Sequence, residues 1–254
     1  MLKIILIGTG NIAKFFFDVL SDQPEVKIVQ VLGRNREALD YFSNKTSVSL
    51  NFKAIEQADL YILAISDEAI STVARDLNLK EGLLVHTAGS IPMEVLPEPL
   101  RRGVLYPLQT LSGILPEKMA EIPICIEASR EDDYLLLERL ARLISRRVER
   151  INSAQRKQLH LAAVFANNFS NHMFFLSSRI CEEHGVSFDL MRPLIRESCM
   201  KVMKQNPFDA QTGPARRGDR KTLDEHYNML QSPTLRSIYS NLSESIQKTY
   251  GQEL

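Results

Sequence analysis

The 254-residue sequence predicts an α/β domain on a mostly parallel, doubly wound sheet, followed by an all-α domain. Three observations carry this. Short β-branched runs alternate with helical stretches through the first part of the chain. Several of those runs stop at a glycine, namely Gly8, Gly33 and Gly89. After Ile151 the strand pattern ends and only helical stretches follow. Strands alternating with helices imply right-handed crossovers onto a parallel sheet.

Lys3 to Ile7 is apolar at nearly every position, as in a strand covered on both faces. Asn11 to Leu20 reads as a helix, Val26 to Leu32 as a second strand, and Arg36 to Asn44 as a weak helix. Asp59 to Ile65 is a buried strand, Glu68 to Leu77 a helix, and Leu83 to Thr87 a further strand. Gly103 to Leu105 and Ile122 to Glu127 are short strands, and Arg130 to Ser145 is a charged amphipathic helix. Ser153 to His184 is one long helical stretch. Its middle, Leu161 to Ala166, is apolar all round and predicts a buried helix. Phe188 to Gln205 and Thr234 to Tyr250 are helices flanking a polar segment, Asn206 to Lys221. The expected domains are therefore 1–152 and 153–254.

Hydrophobic residues make up 44% and charged residues 24%, enough for a sizeable core. Lys plus Arg and Asp plus Glu both number 31, so bulk charge gives no reason to expect nucleic acid or an anionic membrane as partner. Cys125, Cys181 and Cys199 are odd in number and form no CxxC pair. They predict neither a metal site nor a disulfide, but packed thiols in a reducing compartment. The run Ile4 to Ile7 is too short for a signal peptide, and no stretch approaches the roughly 20 apolar residues of a membrane span. The expectation is a soluble, cytoplasmic protein.

The first strand enters Gly8-Thr9-Gly10-Asn11-Ile12-Ala13, a G-x-G-x-x-A turn between strand and helix. This is the Rossmann dinucleotide fingerprint in its proper context. Gly8 permits the tight turn, Gly10 lets a pyrophosphate approach the backbone, and Ala13 lets helix and strand pack closely. The helix N-terminus offers free N–H groups to the phosphates. At the end of the second strand an NAD site places an acid for the ribose 2′-hydroxyl. This chain has Gly33-Arg34-Asn35 instead. The absent acid and the planar fork of Arg34 favour a 2′-phosphate, hence NADP(H). The same absence weakens a methyltransferase reading. Tyr41 and Lys45 have the spacing of a short-chain dehydrogenase pair, but fall too early to serve as one.

Ligands of such sheets sit outside the carboxyl ends of the strands. Ala64-Ile65-Ser66-Asp67 and His86-Thr87-Ala88-Gly89-Ser90 close the next two strands there. Ala64, Ile65, Ser66, Thr87, Ala88 and Gly89 are expected to line the cofactor. These segments together resemble the NADP-binding domain shared by pyrroline-carboxylate reductase, deazaflavin-dependent NADP oxidoreductases and ketopantoate reductase. Tyr106-Pro107-Leu108-Gln109-Thr110, His160 to Val164 with Asn168, and Thr212 to Asp219 with His226 are more particular. They resemble a bacterial family in which a Rossmann-like domain precedes a helical domain of unknown function, its members labelled NADP oxidoreductases. The resemblance spans nearly the whole chain. It implies a helical domain that forms a homodimer interface, and it supplies no substrate.

The nicotinamide carries the chemistry of such an enzyme, and the protein supplies placement and a proton. On the long helix His160, Asn167, Asn168 and His172 are polar residues in an apolar setting. They either satisfy local backbone, face solvent, or orient a substrate carbonyl or the nicotinamide amide in the interdomain cleft. Asn168 and His160 are the catalytic candidates, with His226 as a possible general acid. Arg217, held by Asp219, would bind an anionic substrate; alternatively Asp219 caps the next helix. His86 is a weaker candidate. The expected activity is hydride transfer between NADP(H) and a small carbonyl or imine. A non-catalytic NADP-binding regulator or scaffold is the alternative, and a deazaflavin-linked oxidoreductase a third reading.

Overall fold

A computed structural model describes residues 1–112 and 119–251. Eight strands form one sheet: β1 (Leu2–Ile7), β2 (Val26–Leu32), β3 (Ser47–Ser49), β4 (Leu60–Leu63), β5 (Leu83–His86), β6 (Arg101–Pro107), β7 (Ile124–Ala128) and β8 (Val148–Arg150). Their order is β3-β2-β1-β4-β5-β6-β7-β8. The neighbours pair in parallel except β6 and β7, which are antiparallel. The order reverses between β1 and β4, which opens a crevice at their carboxyl ends.

The helices interleaved with these strands are α1 (Asn11–Leu20), α2 (Arg36–Ser43), α3 (Asp67–Asp76) and α4 (Glu131–Ile144). A strand's side chains alternate between faces, and both faces of this sheet are covered. Ile4 and Leu6 join the α1 residues Phe16 and Leu20 and the α4 residues Leu137 and Leu140 in one core. Ile5 and Ile7 join Ile70 and Ala74 of α3 in the other. That is why β1 reads as an unbroken apolar run. A buried Asp133 at the start of α4 pairs with Arg101 at the start of β6.

The chain then enters α5 (Ser153–Ala163), a π-helical segment Val164–Phe169, and α6 (Ser170–Glu183). Asn152 caps α5 in a reciprocal box with Gln155. The first compact unit is Met1–Met173 and the second Phe174–Leu254. The sequence places the boundary at residue 152, but α5 is fastened to the sheet. Arg156, 1% exposed, donates to Glu127 of β7 at 2.5 Å and to the Ile91 carbonyl at 2.6 Å. Glu127 also accepts from the Ser153 hydroxyl at 2.7 Å.

The second unit is helical. It holds the later part of α6, a 3₁₀ turn Phe188–Met191, α7 (Arg192–Lys204), α8 (Pro207–Ala210), α9 (Pro214–Arg217), α10 (Arg220–Met229) and α11 (Pro233–Tyr250). Phe208 stacks on Tyr250 with ring centroids 4.6 Å apart, and the Arg216 guanidinium lies over the same ring.

Two expectations need correction. The stretch Leu161 to Ala166 is not buried: Leu161 is 53% and Phe165 63% exposed in the single chain. Of the cysteines only Cys125 is buried, its thiol pushed up to about 11 by burial, while Cys181 is half-buried and Cys199 exposed. Tyr41 and Lys45 share no site: Tyr41 donates to Asp18 at 2.8 Å and Lys45 pairs with Asp22 at 3.2 Å.

Candidate functional site

A groove of about 400 Å³ lies at the carboxyl ends of β1, β2 and β4. Gly8, Thr9, Gly10, Asn11 and Ile12 line it from the first turn, Gly33, Arg34 and Asn35 from the end of β2, and Ala64, Ile65 and Ser66 from the end of β4. Phe52, in a 3₁₀ turn after β3, completes the apolar part.

The glycines here do different work. Gly8 has φ +127°, and a Cβ on it would stand 2.0 Å from the Ala64 carbonyl oxygen. A Cβ on Gly33 would reach within 2.5 Å of Thr9 Cγ2, so the β2 end presses on the fingerprint loop. A Cβ on Gly10 would meet nothing within 4 Å. Gly10 therefore leaves open space on the groove side. It is also the N-cap of α1, with no side-chain cap and no acid in the first turn. The unpaired N–H groups and positive dipole end of α1 face that space, which suits a phosphate. Arg34 is exposed where it lines the groove. Asn35 accepts from Ala38 N at 3.2 Å and caps α2. Asn11 donates to the Leu111 carbonyl at 2.9 Å, tying the turn to the segment after β6.

Thr87, Ala88 and Gly89 are buried and lie outside the groove lining. The Thr87 hydroxyl and N–H both donate to the Leu63 carbonyl. Ser90 donates to Asp67 at 2.5 Å, so the loops after β4 and β5 are joined. His86 is fully buried, and its Nδ1 accepts from Ala88 N at 3.2 Å. Burial, helped by the Arg156 charge, depresses it to about 4 and keeps it neutral.

His160 on α5 meets Tyr106 at the end of β6. Asn167 donates to the Thr110 hydroxyl at 2.6 Å. Asn168 and His172 are exposed, Asn168 within the π segment. That segment changes the helical period, so spacings counted in α-helical turns do not carry across it.

In the second unit Arg217 is exposed. Asp219 caps α10, accepting from Thr222 N at 3.2 Å and from its hydroxyl at 2.7 Å, and these bonds lower its pKa. Arg217 acts on Asp219 as a nearby positive charge that also helps to lower its pKa. No salt bridge joins Asp219 to Arg217, because a carboxylate two residues beyond the short α9 is at the capping position of α10. His226 Nδ1 lies 3.0 Å from the Tyr239 hydroxyl, and both line a cavity of about 280 Å³ with His184, Ile180 and Leu235.

Sequence reasoning did not single out Phe52, and it named Tyr106 only within a motif of the family resemblance, with no role. The signal for Phe52 was an aromatic directly after a strand too short to show periodicity. That for Tyr106 was the polar tip of an aromatic at a strand's carboxyl end.

A parallel sheet that opens at β1 and β4 onto a glycine-floored groove defines a dinucleotide-binding domain of the Rossmann type. Residues 3–89 match the family model described as NADP oxidoreductase, coenzyme F420-dependent, and residues 122–246 match a domain of unknown function, DUF2520. The chain is 38% identical to a Bacteroides fragilis protein of known structure described as a "putative NADP oxidoreductase" (TM-score 0.89, covering 97% of this chain and 98% of that one). The chain belongs to this family, an NAD(P)-dependent oxidoreductase domain followed by DUF2520. A Thermotoga maritima protein is similar at 23% identity and TM-score 0.76, covering 98% of this chain and 99% of that one. A pyrroline-5-carboxylate reductase from Streptococcus pyogenes shares the fold at 15% identity and TM-score 0.66, covering 97% of this chain and 98% of that one. None of the curated proteins matches the chain.

Proposed function

We propose that this protein binds NADP(H) in the groove and passes a hydride between it and a small carbonyl or imine compound. The observation that carries the reading is the groove itself: an uncapped α1 N-terminus over open space at Gly10, with Arg34 in the same lining and, among the described residues, no carboxylate. Arg34 supports NADP over NAD because a guanidinium can fork two bonds to a phosphate. Phe52 offers an apolar face for the adenine. When bound, the nicotinamide supplies the hydride. The chain then has to place the acceptor and exchange a proton. His160 is a catalytic candidate of the first unit. Asn168 sits in a π-helical segment, a feature often found at functional sites. In the second unit, Arg217 is the candidate for an anionic substrate group and His226 the candidate general acid. The test is loss of nicotinamide absorbance when the protein and NADPH meet a panel of cyclic imines, ketoacids and aldehydes. Turnover that vanishes in Gly10→Val supports the reading, and no turnover with any of them favours a non-catalytic NADP-binding protein.

A homodimer through the helical region is part of this reading, as is a cytoplasmic location. Among the described residues no helix is long and apolar enough to cross a membrane. The exposed Leu161, Phe165 and Phe169 form an apolar stretch that a monomer leaves in water. Sedimentation velocity at micromolar concentration is expected to give a dimer, and a single monomer peak would contradict it.

A further inference from the structure

Tyr106 and His160 both belong to the first compact unit. The Tyr106 hydroxyl is 3.2 Å from His160 Nδ1, and the rings meet edge to face with centroids 6.2 Å apart. The pair rests on the backbone of Gly89. A Cβ there would lie 2.6 Å from His160 Nδ1 and 2.8 Å from Tyr106 Cζ. Gly89 is outside the left-handed region, so this glycine serves space and not conformation.

The pair is not needed to fasten α5. The Arg156–Glu127–Ser153 cluster already does that, and His160 is only half-buried. Its place is more informative. Gly89 lies in the loop after β5, and that loop is tied to the end of β4 and the groove-lining loop beyond it by Thr87 to Leu63 and Ser90 to Asp67. In a doubly wound sheet one mononucleotide half lies on each side of the switch point. Arg34, at the end of β2, marks the adenosine side of β1. The loop after β5 is on the other side.

The geometry points to the Tyr106–His160 pair as the nicotinamide end of the cofactor site. Tyr106 is the positioning residue: it occupies Nδ1 and seats the ring on Gly89, so that Nε2 is the nitrogen offered to the nicotinamide carboxamide. This inference rests on the nucleotide reading above.

The experiment uses the full-length chain with isotope-labelled histidine. It is titrated with NADPH and, separately, with adenosine 2′,5′-bisphosphate, which carries the adenosine half alone. The His160 ring signals, assigned by their loss in His160→Gln, are expected to move with NADPH and stay still with the bisphosphate. His160→Gln should weaken NADPH about fivefold to tenfold, the scale of one hydrogen bond, and leave the bisphosphate affinity unchanged. Tyr106→Phe keeps the ring and should shift the tautomer balance of His160 in the ligand-free protein. NADPH that binds without moving the His160 signals overturns the inference, as does equal weakening of both probes by His160→Gln. Binding of neither probe overturns the nucleotide reading and this inference with it.

Discussion

Gly8 and Ala64 close adjacent parallel strands so tightly that a Cβ on Gly8 would stand 2.0 Å from the Ala64 carbonyl oxygen. Gly8 also holds φ at +127°. The floor of the groove therefore depends on this position having no side chain. Gly8→Ala is expected to cost at least about 2–3 kcal/mol, read as a lower urea midpoint. An unchanged midpoint would contradict the packing described.

Gly10 is the opposite case. Among the described residues nothing lies within 4 Å of a Cβ added at Gly10, so Gly10→Val meets no crowding at that atom. Stability should fall by no more than about 1 kcal/mol, the scale of a poorer N-cap. Binding of either NADPH or NADH should be lost, because the added methyls fill the space beside the α1 N-terminus. Retained affinity with a retained fold would remove the fingerprint from the site.

Glu127 neutralises Arg156, which is 1% exposed. Glu127→Ala would leave a buried cation unpaired, at a cost of about 3–5 kcal/mol. Glu127→Ala combined with Arg156→Met should recover part of that loss. A loss in Glu127→Ala of under about 1 kcal/mol, the range of a surface pair, would show that the pair does not anchor α5.

His86 gives the fold an acid sensitivity. Its folded value of about 4 lies below the ordinary 6.5, so between these pH values the unfolded chain binds more protons than the folded one. Its contribution is fully present above the upper value and is lost as pH falls toward the lower, by roughly 3 kcal/mol at most. His86→Asn keeps an acceptor for Ala88 N and should flatten the stability curve in that window. Chemical denaturation across the window checks this, and an unchanged slope would place the sensitivity elsewhere.

Much of this was legible in the sequence, for physical reasons that differ by residue. The β1 run and its glycine turn could be read because a strand covered on both faces has no polar alternation. Gly8 to Ile12, Gly33 to Asn35 and Ala64 to Ser66 lie on one groove because the fold gathers carboxyl ends. The strands Ser47–Ser49 and Val148–Arg150 were not legible, since three residues at a sheet edge carry no period. Phe52 was hidden with the first of them. Asp219 had two readings, a cap or a partner for Arg217, and in the fold Thr222 donates to both its oxygens. The Leu161 to Ala166 stretch signals burial by its composition, but composition does not name the covering surface, and in the single chain Leu161 and Phe165 stay exposed.

The central claim is a groove that prefers NADP(H) through Arg34. Calorimetric titration with NADPH and NADH, on the wild-type chain and on Arg34→Ala, tests it most directly. The account predicts that NADPH binds the wild type far more tightly than NADH. It also predicts that Arg34→Ala weakens NADPH by about 1–3 kcal/mol, the worth of a charge-assisted bond, and scarcely changes NADH. Equal affinities in the wild type, or equal losses in the variant, would contradict it.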